Sequence, residues 1–420
     1  MSSNRHFRRK SKRLGTADVI SAEDYEGQPV DSKIELIRAL VPLGLMAIKD
    51  MLEQEVCELA GARYVRGSEV FRHGTNPGSV ALIGQRHPIR VPRLRARGGG
   101  EMPLSSWAAL RTADAPDERL LRRVLYGLSC RNYEAAAEAI PGAIGLARSS
   151  VSRGFVEASA AKLREFQERS LSRYEVVALL LDGKTFAEDS LVVAMGITVL
   201  GGKILLGFVQ TATENERVLT PFLRSLVERG LDPSAGLLVV IDGAKGLRAA
   251  ALKAFDGKCL IQRCQWHKRQ NVIAHLPKSE QAAWRKRLQR AYERPTYSEA
   301  KAALMRLHKE LSLLNTSAAA SLEEGLEETL TLHRLGLFQL LGVSLKTTNG
   351  IESVFSQVER YCSKVSRWST SNQKQRWLAT ALLDVEPRLR KAKGFRHLPL
   401  LRQALQRDLK INLRDSQKAA

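Results

Sequence analysis

With 420 residues, 44% of them hydrophobic, the chain is long enough for roughly two to four domains and at least one sizeable core. No run approaches the ~18 apolar residues of a membrane span, and the opening "MSSNRHFRRKSKR" lacks the apolar stretch of a secretion signal, so a soluble cytoplasmic protein with no membrane partner is expected. Five cysteines at irregular spacing fit reduced thiols better than a disulfide framework, and 66 basic against 44 acidic residues, a net charge of +22, predict a polyanionic partner. Nucleic acid is favoured over an anionic membrane because the basic residues are spread along the chain and not gathered on one amphipathic helix.

Residues 1–32 read as a basic flexible tail, either a solvated segment or a phosphate-binding arm. Residues 33–112 read as N-terminal helices and a basic hairpin. The helical pattern from Ser32 to about Gly61 is broken or kinked at Pro42, which predicts a helix pair, packed on its own domain or used for dimerisation. In "SVALIGQRHPIRVPRLRARGGG", which contains no acid, short β-prone pieces around Val80–Ile83 and Ile89–Leu94 predict the hairpin. Residues 113–170 parse as three short helices, about Asp117–Tyr126, Arg131–Ile140 and from Ser149, with breaks at Gly127 and Pro141-Gly142. They resemble a helix-turn-helix in which Arg148, Ser149, Ser150, Ser152 and Arg153 would face the DNA major groove. An ordinary helical hairpin is the other reading, because the last link is longer than the usual turn.

The pattern changes over 171–266. Strands are expected at Val176–Leu181, Leu191–Leu200, Ile204–Thr211, Leu237–Ile241 and Cys259–Arg263, with helices at Glu216–Arg229 and Leu247–Phe255. Gly201-Gly202 is the turn of the clearest hairpin. Three antiparallel strands followed by helix and strand give the order of an α/β core with an RNase H-like mixed sheet. A helical insertion is expected over 267–345. Thr296 and Glu299 stand at capping-box spacing there, and one helix is expected through "SLEEGLEETLTLHRLG". Residues 346–385 return to the core on a helix starting near Asn349, and 386–420 form a basic C-terminal helix or tail.

Two apolar runs, "VVALLLDGK" and "GLLVVIDG", each end on a carboxylate, Asp182 and Asp242. Taken singly, each is an ordinary Asp-Gly turn, and Glu352 at N3 behind an Asn349 cap is an ordinary dipole partner. Together they are candidate ligands, because the first and fourth strands of such a sheet are neighbours and the returning helix brings the third carboxylate to the same edge. Clustered carboxylates need a cation, and hard oxygens select Mg²⁺ or Mn²⁺. Gly350 beside Glu352 is expected to loosen that helix start. Glu359, Glu188 and Asp189 are competing carboxylates of lower rank.

"LLLDGKTF", "GLLVVIDGAKGLRAA", "QRCQWHKRQNV" and "LKTTNGIES" make the chain, from about residue 33 to 405, resemble the bacterial insertion-sequence DDE transposases related to the Mutator superfamily. By position, the resemblance implies that Asp182, Asp242 and Glu352 are the catalytic residues holding two Mg²⁺ (or Mn²⁺) ions, and that Cys264 and His267 are the Cys-x-x-His signature supporting the site. It further implies binding of terminal inverted repeats and target DNA, strand cleavage and strand transfer, a homo-oligomer on paired ends, a circular transposon intermediate and a nucleoid-associated place in the cell. Lys184, Lys245, Arg263, Lys268 and Arg269 are candidate phosphate contacts. A zinc site of Cys259, Cys264, His267 and His275 matches no standard spacing. Trp266, Trp284 and Trp368 are core residues or platforms for an extruded base. Two alternatives stay open: an RNase H-like metal-dependent nuclease or resolvase, and a catalytically inactive DNA-binding regulator derived from a transposase.

Overall fold

The computed structural model describes residues 30–64, 69–82, 85–112, 118–126, 148–211, 215–363, 365 and 367–411. Most of the expected tail (1–29), the expected second helix at 131–140 with its flanking turns, and residues 412–420 lie outside them. Among the described residues, one compact unit comprises those up to 112 with 148–150, and a second comprises 118–126 with 151–411.

In the first unit the expected helix pair is one helix, α1 (Val30–Ala60), with Pro42 inside it. Val41, Ile48, Leu52, Val56 and Ala60 form one buried stripe, and that burial outweighs the ~3 kcal/mol cost of an interior proline. The stripe packs on a hairpin longer than expected, β1 (Val70–Leu82) and β2 (Gln85–Ala96), which the short strand β3 (Glu101–Met102) extends. α2 (Ser105–Thr112) follows. Its first N–H groups are capped by Glu55 of α1, which accepts from Ser105 N at 2.6 Å and Ser106 N at 3.0 Å.

The second unit is built on a five-stranded sheet in the order β6-β5-β4-β7-β8. Its strands are β4 (Val176–Phe186), β5 (Asp189–Thr198), β6 (Lys203–Gln210), β7 (Leu237–Ile241) and β8 (Cys259–Arg263). β4, β5 and β6 pair antiparallel, and β7 and β8 join parallel to β4. Helices α3 (Glu118–Leu125) and α4 (Arg148–Glu168) precede the sheet. Odd-numbered residues of β4 and β7, among them Leu179, Leu181, Val239 and Ile241, share a core with α5 (Glu216–Glu228) and α6 (Lys245–Ala254). Past the irregularity between Val176 and Ala178, which leaves Val176 in this same core, the even-numbered side chains stand on the opposite face. Both faces of β4 are therefore covered, the condition that an unbroken aliphatic strand satisfies.

After β8 the chain enters the insertion, and every described element there is helical: α7 (Gln265–Ala274), α8 (Lys278–Tyr292), α9 (Tyr297–Leu314), α10 (Thr316–Glu323), α11 (Leu326–Thr329), α12 (Thr331–Arg334) and α13 (Phe338–Leu345). The capping box is present at α9: Thr296 Oγ1 accepts from Glu299 N, and Thr296 N donates to Glu299 Oε2, each at 3.3 Å. The single helix expected over "SLEEGLEETLTLHRLG" is instead α10, α11 and α12. Gly325, at φ 64°, takes the left-handed conformation that ends the first of them. The chain then returns through α14 (Asn349–Cys362), α15 (Ser371–Val385) and α16 (Leu398–Asp408). No described helix is long and apolar enough to cross a membrane.

Candidate active site

Asp182 does not end its strand. β4 continues to Phe186 and turns tightly into β5 through Ala187 and Glu188, at φ 48° and 72°. Two successive positive φ angles are the mark of a type I′ hairpin, but Ala-Glu carries none of the Asn-Gly or Gly signal that announces one. What stops short of Asp182 is the pairing on the other side, whose last pair is at Leu180. β4 and β7 match Ala178 with Leu238, Leu179 with Val239 and Leu180 with Val240, and β7 stops at Ile241. Continued two residues, that register sets Asp182 level with Asp242. β7 and β8 match Ile241 with Arg263, which sets Asp242 level with Cys264. A row of Asp182, Asp242 and Cys264 therefore lies across three neighbouring strands at one end of the sheet.

The insertion leaves and re-enters beside this row. Gln265 N donates to Lys346 O at 2.9 Å, joining its two ends, and the buried Thr348 hydroxyl donates to Cys264 Sγ at 3.8 Å. Thr348, not Asn349, is the residue preceding α14, so Glu352 is the fourth helical residue and not N3. Gly350 allows α14 to lie close on the sheet: a Cβ there would stand 2.6 Å from Met195 Cε and 3.5 Å from Leu180 Cδ2. The expected loosening by glycine is thus, in its place, a close approach to the sheet face that carries Asp182. Thr348 and the Gly350–Met195 approach were not found from sequence; the paired threonines of "KTTNG" are the only signal that marks them.

Lys184, two residues after Asp182 on the same strand face, connects the carboxylates. Its Nζ is 3.0 Å from Asp182 Oδ2 and 3.7 Å from Glu352 Oε1. Asp182 is 2% exposed, and its Oδ2 accepts no well-aligned hydrogen bond. Burial raises the Asp182 pKa; the charges of Lys184 and His267 offset this only in part, and Asp242 adds to it. Asp242 is half-buried, and its Oδ1 accepts from Ala244 N at 3.0 Å, which shapes the turn into α6. Burial opposes charge on His267, yet Cys264, Asp182 and Asp242 more than compensate and raise its pKa. Burial likewise favours the Cys264 thiol, and the neighbouring imidazole reverses the sign and lowers its pKa. His267 Nδ1 is buried without a partner.

Among the described residues no group of three or more His, Cys, Asp or Glu side chains stands close enough to hold a metal ion. The donor chemistry of the row still suits a hard divalent cation. It offers carboxylate oxygens, one of them buried with only an ammonium beside it, and no paired thiolates.

The other sequence candidates fall elsewhere. Arg263 is buried, with Nε 2.7 Å from Glu328 Oε2, and the buried Lys268 donates to Ser321 O at 2.7 Å and Glu324 O at 2.6 Å. Burial lowers the Lys268 pKa to about 8. Arg263 holds the insertion to the sheet and Lys268 holds α7 to the end of α10, so a phosphate contact would first have to break these bonds. Arg269 donates to Gln289 Oε1 at 3.1 Å, whereas Lys245 is 86% exposed. Ser149, Ser152 and Arg153 are exposed on α4, and the side chains of Arg148 and Ser150 lie outside the described residues. Asp189 pairs with Lys374 at 2.8 Å, Glu188 is in the hairpin turn and Glu359 is exposed. His275 is the exposed C-cap of α7. Trp284 is in the insertion core, Trp368 packs on Phe186 with ring centroids 5.3 Å apart, and Trp266 is 36% exposed beside His267.

Two level aspartates, a third carboxylate carried over the same sheet face and a helical insertion pinned beside them define a class of α/β core with a carboxylate-bearing edge. The chain belongs to the Mutator family of transposases, whose family model matches residues 16–391. It is 28% identical over 314 residues to the transposase for insertion sequence element IS256 in transposon Tn4001 of Staphylococcus aureus, covering 71% of this chain and 76% of that protein. To the transposase for IS6120 of Mycolicibacterium smegmatis it is 28% identical over 287 residues, covering 67% of this chain and 87% of the other. A shorter match, 32% over 168 residues, is to the transposase for IST2 of Acidithiobacillus ferrooxidans, covering 40% and 55% respectively.

Proposed function

We propose that this protein is the transposase of an insertion sequence, with an RNase H-like catalytic core that cuts and joins DNA strands at the element's terminal inverted repeats. The observation that carries the reading is the register that levels Asp182 with Asp242, with Glu352 tied to Asp182 through Lys184. Strand order and family membership support it. Asp182, Asp242 and Glu352 would hold Mg²⁺ or Mn²⁺. Divalent ions held there supply Lewis acidity toward the attacking and leaving oxygens of a phosphodiester.

The chain's own residues do the rest by position and charge. The rigid centre of β4 fixes Asp182, and its burial keeps that carboxylate poorly solvated, so it gains more from a cation than an exposed one would. Lys184 compensates the carboxylates from within the protein. The His267 imidazole, drawn toward its charged form, adds positive potential where phosphate must approach. Inverted-repeat duplex DNA and target DNA are the partners, and a homo-oligomer assembles on the paired ends. In a test with inverted-repeat ends, a target plasmid and Mg²⁺ or Mn²⁺, cleavage followed by joining is expected. Cleavage without joining would point to a nuclease, and binding without either to a regulator.

A further inference from the structure

The first unit carries a surface that the catalytic reading leaves unused. We propose that the solvent face of the β1–β2 ribbon is a duplex-DNA contact surface that lies along a groove and grips phosphates with arginines. The proposal rests on the DNA reading above and adds a site to it.

One face of the ribbon is already occupied, since Val80, Ile89, Val91 and Leu94 pack on α1. On the other face Arg86, Pro88 and Arg90 are exposed at alternate positions of β2. The register between the strands shifts between Arg72 and Thr75, with Gly74 at φ 78°. Past that bulge the alternation changes phase, so that Leu94 is buried and Arg95 and Arg97 are exposed. Residues 70–100 contain no Asp or Glu. Arg72 and Arg93 are each engaged by a carboxylate at 2.6 Å, Glu53 and Glu101, whereas Arg90 and Arg97 pair with none among the described residues, and Arg95, opposite Glu101 in the β2–β3 register, shares only the field of a carboxylate that Arg93 already holds.

Dimensions and chemistry select the partner. Two strands ~4.8 Å apart fit a major groove ~12 Å wide. The eleven steps from Arg86 to Arg97 span ~36 Å, close to the ~34 Å of one DNA turn. Pro77, Pro88 and Pro92 lack N–H donors, so the ribbon edges are poor templates for an added protein strand. The guanidinium fork matches phosphate, and an unbroken stretch without acid suits a partner that is anionic along its length.

The test is fluorescence anisotropy of the full chain with a labelled duplex over a series of salt concentrations. It compares wild type, the triple variant Arg90→Ala/Arg95→Ala/Arg97→Ala and the corresponding triple lysine variant. Losing three phosphate contacts lowers the slope of log K against log salt by about 2.7 and weakens binding ~10²–10³-fold near 0.1 M salt. Lysine restores most of both. Thermal melting serves as the folding control, and if the alanine variant melts early, Arg95→Glu alone carries the comparison. A wild type that binds duplex and an alanine variant with the same slope and affinity overturn the ribbon site alone. A wild type that binds no duplex overturns the DNA reading beneath it. A loss seen only with anionic lipid vesicles, and not with duplex, also overturns the proposal.

Discussion

Replacing Lys184 with methionine removes the cation nearest the Asp182 carboxylate, which is 2% exposed. At 3.0 Å and an effective dielectric of about 20, the attraction between the two charges is about 5 to 6 kcal/mol. The ammonium, with a side chain 22% exposed, sacrifices hydration to sit there, so the net loss expected is about 3 kcal/mol. In a unit of this size ~1 kcal/mol moves Tm by roughly 2 °C, which gives a fall of about 6 °C at neutral pH. The pH dependence has a definite sign. Burial raises the Asp182 pKa, so the folded state prefers the protonated acid. Its contribution is fully present below the ordinary carboxylate pKa and is lost as pH rises through the folded value. The variant, lacking the ammonium that opposes this shift, has its deficit at neutral pH and recovers as acid protonates Asp182. Calorimetry of the metal-free chain at a series of pH values measures this. Equal Tm values at neutral pH, or a deficit that does not shrink on acidification, would refute the charge coupling.

Other outcomes follow from the same geometry. Gly350→Val is expected to destabilise by about 2–3 kcal/mol in denaturant unfolding, since its branched side chain meets Met195 and Leu180. Gly350→Ala should stay within about 1 kcal/mol, because Met195 Cε can swing away and alanine gains helix propensity. Arg263→Met is expected to cost stability, about 1–2 kcal/mol by the same unfolding assay, because the Glu328 carboxylate loses one of its two guanidinium partners and keeps Arg248. Its DNA affinity per folded molecule should be unchanged, and a weakened affinity at full stability would restore Arg263 as a phosphate contact. In Cys264→Ala, His267 loses the strongest group opposing its burial and should titrate at lower pH by NMR than in wild type; an unchanged titration would show that the thiol does not charge the imidazole.

Legibility from sequence followed the range of the interactions that decide each feature. β7 and β8 have the predicted ends because an aliphatic run between turn residues is a local signal. The capping box of α9 is local too. β4 ran past its predicted end because Ala187-Glu188 adopts a turn that its residue types do not advertise. α1 stayed whole across Pro42 because tertiary burial, which propensity does not see, outweighs the break. In the site, three carboxylates could be chosen from their places at strand and helix ends, but their connection through Lys184 could not. Arg263 and Lys268 looked like phosphate ligands because the acceptors that bury them, Glu328, Ser321 and Glu324, arrive more than fifty residues later in the chain.

Strand transfer with inverted-repeat ends in Mg²⁺ or Mn²⁺, by wild type and by Asp182→Asn, Asp242→Asn and Glu352→Gln, bears most directly on the carboxylate site. Each substitution keeps side-chain volume and removes one charged ligand. A loss of about a thousandfold or more, ~4 kcal/mol of transition-state stabilisation, is expected in each, with duplex binding retained. Three variants that bind, cut and join DNA at the wild-type rate would contradict the assignment of Asp182, Asp242 and Glu352.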